Sequence, residues 1–258
     1  MKPRIGLMGI MQELYDAMLP GITERQSNYA RAIAQQLSDV AEVVFPKPVR
    51  NRADAEEVVA GFERDGMDGI MMVMLTYGPA MNVTRALVNT RLPLMLANTQ
   101  PERNITDQWD MGDMTYNQGV HGAQDQANAL VRAGVPLPII TDHWQAPEFK
   151  RAFEDWARAA ATVSALRRMK VAIFGYAMNG MGDIRVDETS MLRKLGPELC
   201  VVAPGDLYRA MQAASPAEIK AVIDELNLVI PEAEISPHAI HKMPRRRYEA
   251  VHLFFDIL

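Results

Sequence analysis

The chain has 258 residues, 48% hydrophobic and 23% charged, a globular composition that suits one large domain or two ordinary ones. Its net charge of −5 argues against a nucleic-acid binder, which would carry a basic stripe. The single cysteine rules out an internal disulfide, and neither a signal-peptide stretch nor a membrane-length apolar window is found, so the expectation is a cytoplasmic protein with no nucleic-acid or membrane partner.

Short apolar runs alternate with longer helical patterns, the sign of a parallel α/β sheet. The first predicted strand is Ile5–Ile10, followed by a helix over Ile22–Leu37 and a strand Val43–Phe45 that Pro46 ends. A helix over Asp54–Arg64 leads into Gly69-Ile70-Met71-Met72-Val73-Met74-Leu75. That run is too continuous for a half-exposed strand and predicts a central one covered on both faces. Next come a helix Met81–Asn89, a strand Leu92–Ala97, a mostly helical stretch Asp113–Ala133 and a short strand Pro138–Ile140. A long helix, Ala146–Arg168, bridges to a second unit with strands Val171–Phe174 and Leu199–Val202. Its helices are predicted near Ser190–Leu195, Asp206–Ala214 and Pro216–Leu226. The fold expected is α/β, a flavodoxin/Rossmann-like parallel-sheet domain over residues 1–165 and a second, smaller α/β domain over 166–258 that reads as truncated. Cys200, in the apolar run Leu199–Val202, reads as a buried, inert thiol.

In open α/β sheets ligands bind outside the carboxyl ends of the strands. Those positions carry Met11-Gln12-Glu13-Leu14-Tyr15, Thr76-Tyr77-Gly78-Pro79, Asn98-Thr99-Gln100-Pro101, Thr141-Asp142-His143-Trp144-Gln145 and Gly175-Tyr176-Ala177-Met178-Asn179-Gly180. Neutral amides and hydroxyls beside aromatic rings suit a polyhydroxylated ligand. A phosphate would call for a glycine-rich turn into a helix, and Gly175–Gly182 has the wrong spacing for one. Polar strand-end loops are also what any α/β protein contains, so taken alone they leave the function open. His121 and His143, 22 residues apart, form no metal-spacing motif, and a lone histidine is more often a structural hydrogen-bond partner than a ligand, so both readings stay open. The methionine run Met71–Met74 reads as core filling.

Four segments in register carry a resemblance. Thr115-Tyr116-Asn117-Gln118-Gly119-Val120-His121-Gly122 resembles the Asn-Gln…His-Gly segment of the L-arabinose isomerase family, and His143-Trp144-Gln145 its His-Trp-Gln triplet. Arg168–Gly175 is similar to the family's Lys-Val…Phe-Gly strand, with Met178 three residues on, and Gln12–Tyr15 to its Gln-x-Leu-Tyr loop. Order and spacing agree over roughly residues 4–225, while departures such as the shortened loop Tyr15–Pro20 leave the particular sugar open. The resemblance implies a metal-dependent aldose–ketose isomerase of arabinose catabolism, acting on a monosaccharide such as an aldopentose. It implies a divalent cation, usually manganese (Mn2+), held by two glutamates and two histidines. It also implies a homo-oligomer whose site is shared between subunits. Carried over motif by motif, Gln12, Leu14, Gln118 and His121 would contact substrate, with Met178 lining the pocket from the second domain.

The family's metal ligands lie beyond the region matched. The tail holds Glu232, Glu234, His238, His241 and His252, but Pro237 and Pro244 disfavour a long helix around His238-x-x-His241. Lys242, Arg245, Arg246 and Arg247 read as a solvated face or an anion patch, and Glu249–Leu258 is strongly apolar. No catalytic or metal residue is therefore expected in this chain, nor a cofactor for the chain alone. Two readings stand: the front part of a sugar isomerase, inactive by itself, or a non-catalytic sugar-binding or interaction module on the same fold. A periplasmic-type binding protein or effector domain shares the architecture and fits the motifs less well.

Overall fold

The computed structural model describes residues 2–182 and 185–229. Two compact units divide the chain, Met1–Arg167 and Arg168–Leu258. The first has strands β1 (Arg4–Ile10), β2 (Glu42–Val44), β3 (Gly69–Met74), β4 (Leu94–Asn98) and β5 (Ile139–Thr141). Between them run helices α1 (Tyr15–Met18), α2 (Ile22–Gln36), α3 (Arg52–Arg64), α4 (Met81–Asn89), α5 (Met111–Tyr116), α6 (Gly119–Arg132) and α7 (Pro147–Arg168). All strand pairs are parallel, in the order β2-β1-β3-β4-β5. That is the flavodoxin-like order, in which the direction of winding reverses between β1 and β3.

The predicted central strand is central. Every residue of β3 is buried, with Ile5 opposite Gly69 and Ile10 opposite Met74. Side chains alternate across a strand, so a continuous apolar run feeds two cores at once. Ile5, Leu7, Met71, Val73, Met95 and Ala97 pack on one face with Ile33 of α2 and Phe149 and Phe153 of α7. Met8, Ile10, Ile70, Met72, Met74 and Leu96 pack on the other with Phe62 of α3, Leu87 of α4 and Leu130 of α6. Phe62 lies so close to β1 that a Cβ at Gly6 would sit 2.7 Å from its ring.

Two local features go beyond the sequence expectation. The mostly helical stretch expected over 113–133 is two helices, with a break at Asn117 and Gln118. Asn117 is buried, accepts from the Glu102 N–H at 2.8 Å and donates to the Glu102 carbonyl at 3.3 Å. Its amide pairs with both backbone groups of Glu102 and so ties the loop after β4 to the end of α5. The new α5 opens on a capping box, Asp110 accepting from the Asp113 N–H while Asp113 accepts from the Asp110 N–H. The second feature is α1, a single unpredicted turn after β1.

The second unit, by itself, pairs β6 (Lys170–Phe174) with β7 (Glu198–Val202) in parallel, Ala172 opposite Cys200. Helices α8 (Glu188–Lys194), α9 (Pro204–Ala213) and α10 (Pro216–Val229) follow the predicted pattern. Cys200 is half-buried rather than buried: among the described residues its sheet has two strands, so β7 is not enclosed as β3 is. Among the described residues, no helix is long and apolar enough to cross a membrane. Glu232, Glu234, His238, His241, His252, the Lys242–Arg247 cluster and the apolar Glu249–Leu258 lie outside the described residues.

Candidate functional site

The winding reversal opens a crevice at the carboxyl ends of β1 and β3, and the loops there are tied together. After β1, the Gln12 carbonyl accepts from the Tyr15 N–H at 3.3 Å, closing a turn in which Gln12 is half-buried and Leu14, at the start of α1, is 57% exposed. Tyr15 packs against the core and its hydroxyl accepts from Gln118 Nε2 at 3.1 Å, across 103 residues of sequence. That bond uses one of the two amide N–H groups and fixes the orientation of the amide, whose Oε1 is an acceptor.

Gln118 sits at the N-cap of α6 without capping it, so its side chain is free to reach Tyr15. The next residue explains its position. A Cβ on Gly119 would lie 2.8 Å from the Met74 carbonyl oxygen and 3.4 Å from that of Thr99, so only glycine lets the helix end this close to β3 and β4. From the same helix Asp125 accepts from the Ala80 N–H at 3.0 Å and Gln126 donates to the Gly78 carbonyl at 3.4 Å. These hold the β3–α4 loop against β1, where a Cβ on Gly78 would be 3.0 Å from Ile10 and 3.3 Å from the Met11 oxygen.

The loops after β4 and β5 brace each other. The Pro101 carbonyl accepts from Trp144 Nε1 at 3.3 Å and lies 3.2 Å from His143 Nε2. His143 Nδ1 accepts from the Gln145 N–H at 3.3 Å, which puts the proton on Nε2 and makes that contact a donated bond. Of the two readings open for His143, the loop brace is the one its contacts satisfy. Trp144 meets Tyr29 edge-on at 6.0 Å. Burial pushes the Tyr29 phenol above its ordinary pKa; Thr99 pulls the other way, though neither hydroxyl completes an aligned hydrogen bond.

An ionic chain flanks the crevice. Arg50 Nη1 donates to Asp16 Oδ2 at 2.9 Å and its Nε lies 3.7 Å from Asp54 Oδ2, while Lys47 reaches Asp54 at 2.8 Å and Glu57 at 2.7 Å. Burial acts to raise Asp54, but Lys47 and the Arg50 N–H outweigh it and hold the carboxyl below its usual range. Hydrogen bonding to Asp16 raises Arg50, and bonding to Asp54 and then Glu57 raises Lys47.

Of the residues singled out in the sequence, Gln118 bonds the Tyr15 hydroxyl, while Gln12 bonds the Tyr15 N–H through its backbone carbonyl. His121 is exposed in the first turn of α6, and Met178 is 67% exposed on the loop after β6 in the second unit. Tyr15 is legible in the sequence only as one strand-end residue among several; its bond to Gln118 is not. Asp16, Arg50, and the pair Arg25 over the Tyr116 ring at 3.7 Å carried no local signal, since each acts on a residue far away in sequence. Two open surface grooves lie elsewhere. One of about 490 Å³ runs along α2 and β2, and one of about 270 Å³ lies between α3 and α4. Neither adjoins the crevice, which is the candidate site because strand-end loops from distant parts of the chain are joined there. Among the described residues, no three His, Cys, Asp or Glu side chains gather where they could hold a metal ion.

A family model described as the L-arabinose isomerase N-terminal domain matches residues 5–168, the whole first unit but for its first four residues. The chain is 26% identical to the L-arabinose isomerase of Aeromonas hydrophila over 220 residues, covering 83% of this chain and 44% of that protein. It is 29% identical to that of Anoxybacillus flavithermus over 187 residues, 71% of this chain and 36% of the relative. With the enzyme of Thermotoga sp. strain RQ2 the figures are 26% over 230 residues, 84% and 45%. The chain therefore spans less than half the length of these curated relatives. The family-model match covers well over half of the chain, so the chain belongs to the L-arabinose isomerase family, its first unit matching the family's N-terminal domain.

Proposed function

We propose that this chain supplies the sugar-contacting N-terminal part of an aldose–ketose isomerase, taking an open-chain aldopentose at the β1/β3 crevice. The observation that carries the reading is the Gln118–Tyr15 hydrogen bond, which ties a neutral amide from the start of α6 to the loop after β1 that also holds Gln12. Neutral groups of this kind pair with sugar hydroxyls without the desolvation penalty of a charge. Leu14 supplies apolar contact, and His121 and Met178 act where the site is completed in a homo-oligomer that shares it between subunits.

The family's reaction moves hydrogen between C1 and C2, and its divalent metal, manganese, supplies polarisation of the two oxygens when bound. The described residues do not fit that ion, because no three suitable donors gather. The chain's own residues hold and orient the sugar, and the metal-binding donors come from outside the described residues. The alternative reading is a non-catalytic sugar-binding module on the same fold.

Titration of the full chain with L-arabinose and with its unreactive polyol, followed by calorimetry and by turnover assays with added manganese, tests both readings. Saturable binding weakened about 2- to 13-fold in Gln118→Leu is expected, matching one lost hydrogen bond of about 0.5–1.5 kcal/mol, without ketose formation. Absence of binding at millimolar sugar would refute the crevice as a sugar site. Manganese-dependent turnover by the purified chain would overturn the division of labour and turn attention to Glu232, Glu234, His238 and His241. Binding without turnover, by a chain that stays inactive beside the missing parts of the enzyme, is the outcome that selects the second reading.

A further inference from the structure

We propose that Arg50 is a positioning residue that holds the Tyr15–Gln118 contact in place by tethering Asp16; its consequence for sugar binding rests on the reading above. Arg50 touches no part of the crevice itself. It acts through the residue beside Tyr15.

The base of the tether is rigid. Val49, the residue before Arg50, extends the sheet pairing: its N–H donates to the Gly9 carbonyl at 2.7 Å and its carbonyl accepts from the Met11 N–H at 2.9 Å. The Arg50 N–H donates to Asp54 at 3.2 Å, and Asn51 caps α3 by accepting from the Asp54 N–H at 3.0 Å. The guanidinium therefore projects from backbone fixed on both sides. Asp54 is largely buried and also bound by Lys47, so it anchors the near end of the guanidinium.

What is tethered is weak by itself. The four residues of α1 form one turn, too short to hold a helical shape unaided. Its outside supports are side chains: Asp16 receives Arg50 at 2.9 Å and the Thr23 hydroxyl, and Glu13 receives Asn51 at 3.4 Å. Asp16 and Tyr15 are adjacent, so on this turn one points to Arg50 while the other packs inward and meets Gln118. Release of Asp16 frees the turn, and the phenol that orients the Gln118 amide moves with it. The β2–α3 loop thereby sets the geometry of a contact made by β1 and α6.

The test uses the full chain labelled with 15N at glutamine. The Gln118 side-chain amide is identified by its loss in Gln118→Leu. In Arg50→Met its two proton signals should move toward free-amide positions and exchange with solvent about two- to fivefold faster, the range of a half-exposed ion pair. Asp16→Asn, which keeps shape and the Thr23 contact, should give the same change. Arg50→Met/Asp16→Asn should be no worse than either alone, and Arg50→Lys should restore part of it. The urea midpoint should stay near that of the wild type, which a merely structural role would not predict. Gln118 signals that overlay the wild type in both single variants, or effects that add in the double variant, would overturn the proposal. If the amide responds as expected and the wild type binds no sugar, the positioning role stands and the sugar reading falls.

Discussion

Gly119 is where the packing of the first unit and the geometry of the crevice meet, and its replacement by alanine tests both. The added Cβ would lie 2.8 Å from the Met74 carbonyl oxygen and 3.3 Å from Met74 Cβ. Backbone in a central strand cannot move aside cheaply, so α6 must shift, at the about 1–3 kcal/mol typical of overpacking. Helix propensity returns less than about 1 kcal/mol, because Gly119 is the first helical residue. A net loss of about 1–2 kcal/mol follows, or roughly 2–8 °C in Tm for a unit of this size. Gly122→Ala is the control. Its Cβ meets the methyl end of Met74, which can rotate away, and the propensity gain of about 1 kcal/mol offsets the adjustment, leaving it within about 1 kcal/mol of wild type. Urea unfolding followed by tryptophan fluorescence reads this directly, since Trp109, Trp144 and Trp156 all lie in the first unit. A Gly119→Ala variant as stable as wild type, or less damaging than Gly122→Ala, would refute the close approach of α6 to β3.

Two further outcomes are expected. The carboxyl of Asp54 is held below its ordinary 3.8 in the folded state, so it contributes stability that is present above pH 3.8 and lost as pH falls through the lower folded value; the stability gap between wild type and Asp54→Asn should therefore narrow below pH 3.8 in urea melts, and a gap that widens there would contradict the assignment. Asn117→Ala should cost about 0.5–1.5 kcal/mol for each hydrogen bond lost, because it removes the side-chain partner of the Glu102 N–H and carbonyl, and hydrogen exchange at that amide should accelerate; unchanged exchange would show that the side-chain bridge does not hold the loop.

The local structure of the chain was readable from periodicity. Gly69–Met74 announced a doubly covered strand because a continuous apolar run has no other use at that length. Met81–Asn89 formed the helix expected, with the same bounds, since an amphipathic 3.6-residue repeat is a property of the segment alone. The strand-end rule likewise put Gln12 and Tyr77 near the crevice before any partner was known. The one-turn α1 escaped this reading, as four residues carry no period.

Partner choice was a different matter. The order β2-β1-β3-β4-β5, which creates the crevice between β1 and β3, is a statement about which strands pair, and identical apolar runs are compatible with several orders. Asn117 looked like one more helical residue until Glu102, 15 residues away, took both ends of its amide. Gln118 and Tyr15 are 103 residues apart and Arg50 and Asp16 are 34, so neither bond leaves a trace in local spacing. Sequence alone determined the elements, because their energetics are set within a few turns or one strand length. The tertiary structure decided the site, because a hydrogen bond between distant residues forms only after the sheet has ordered the loops that carry them.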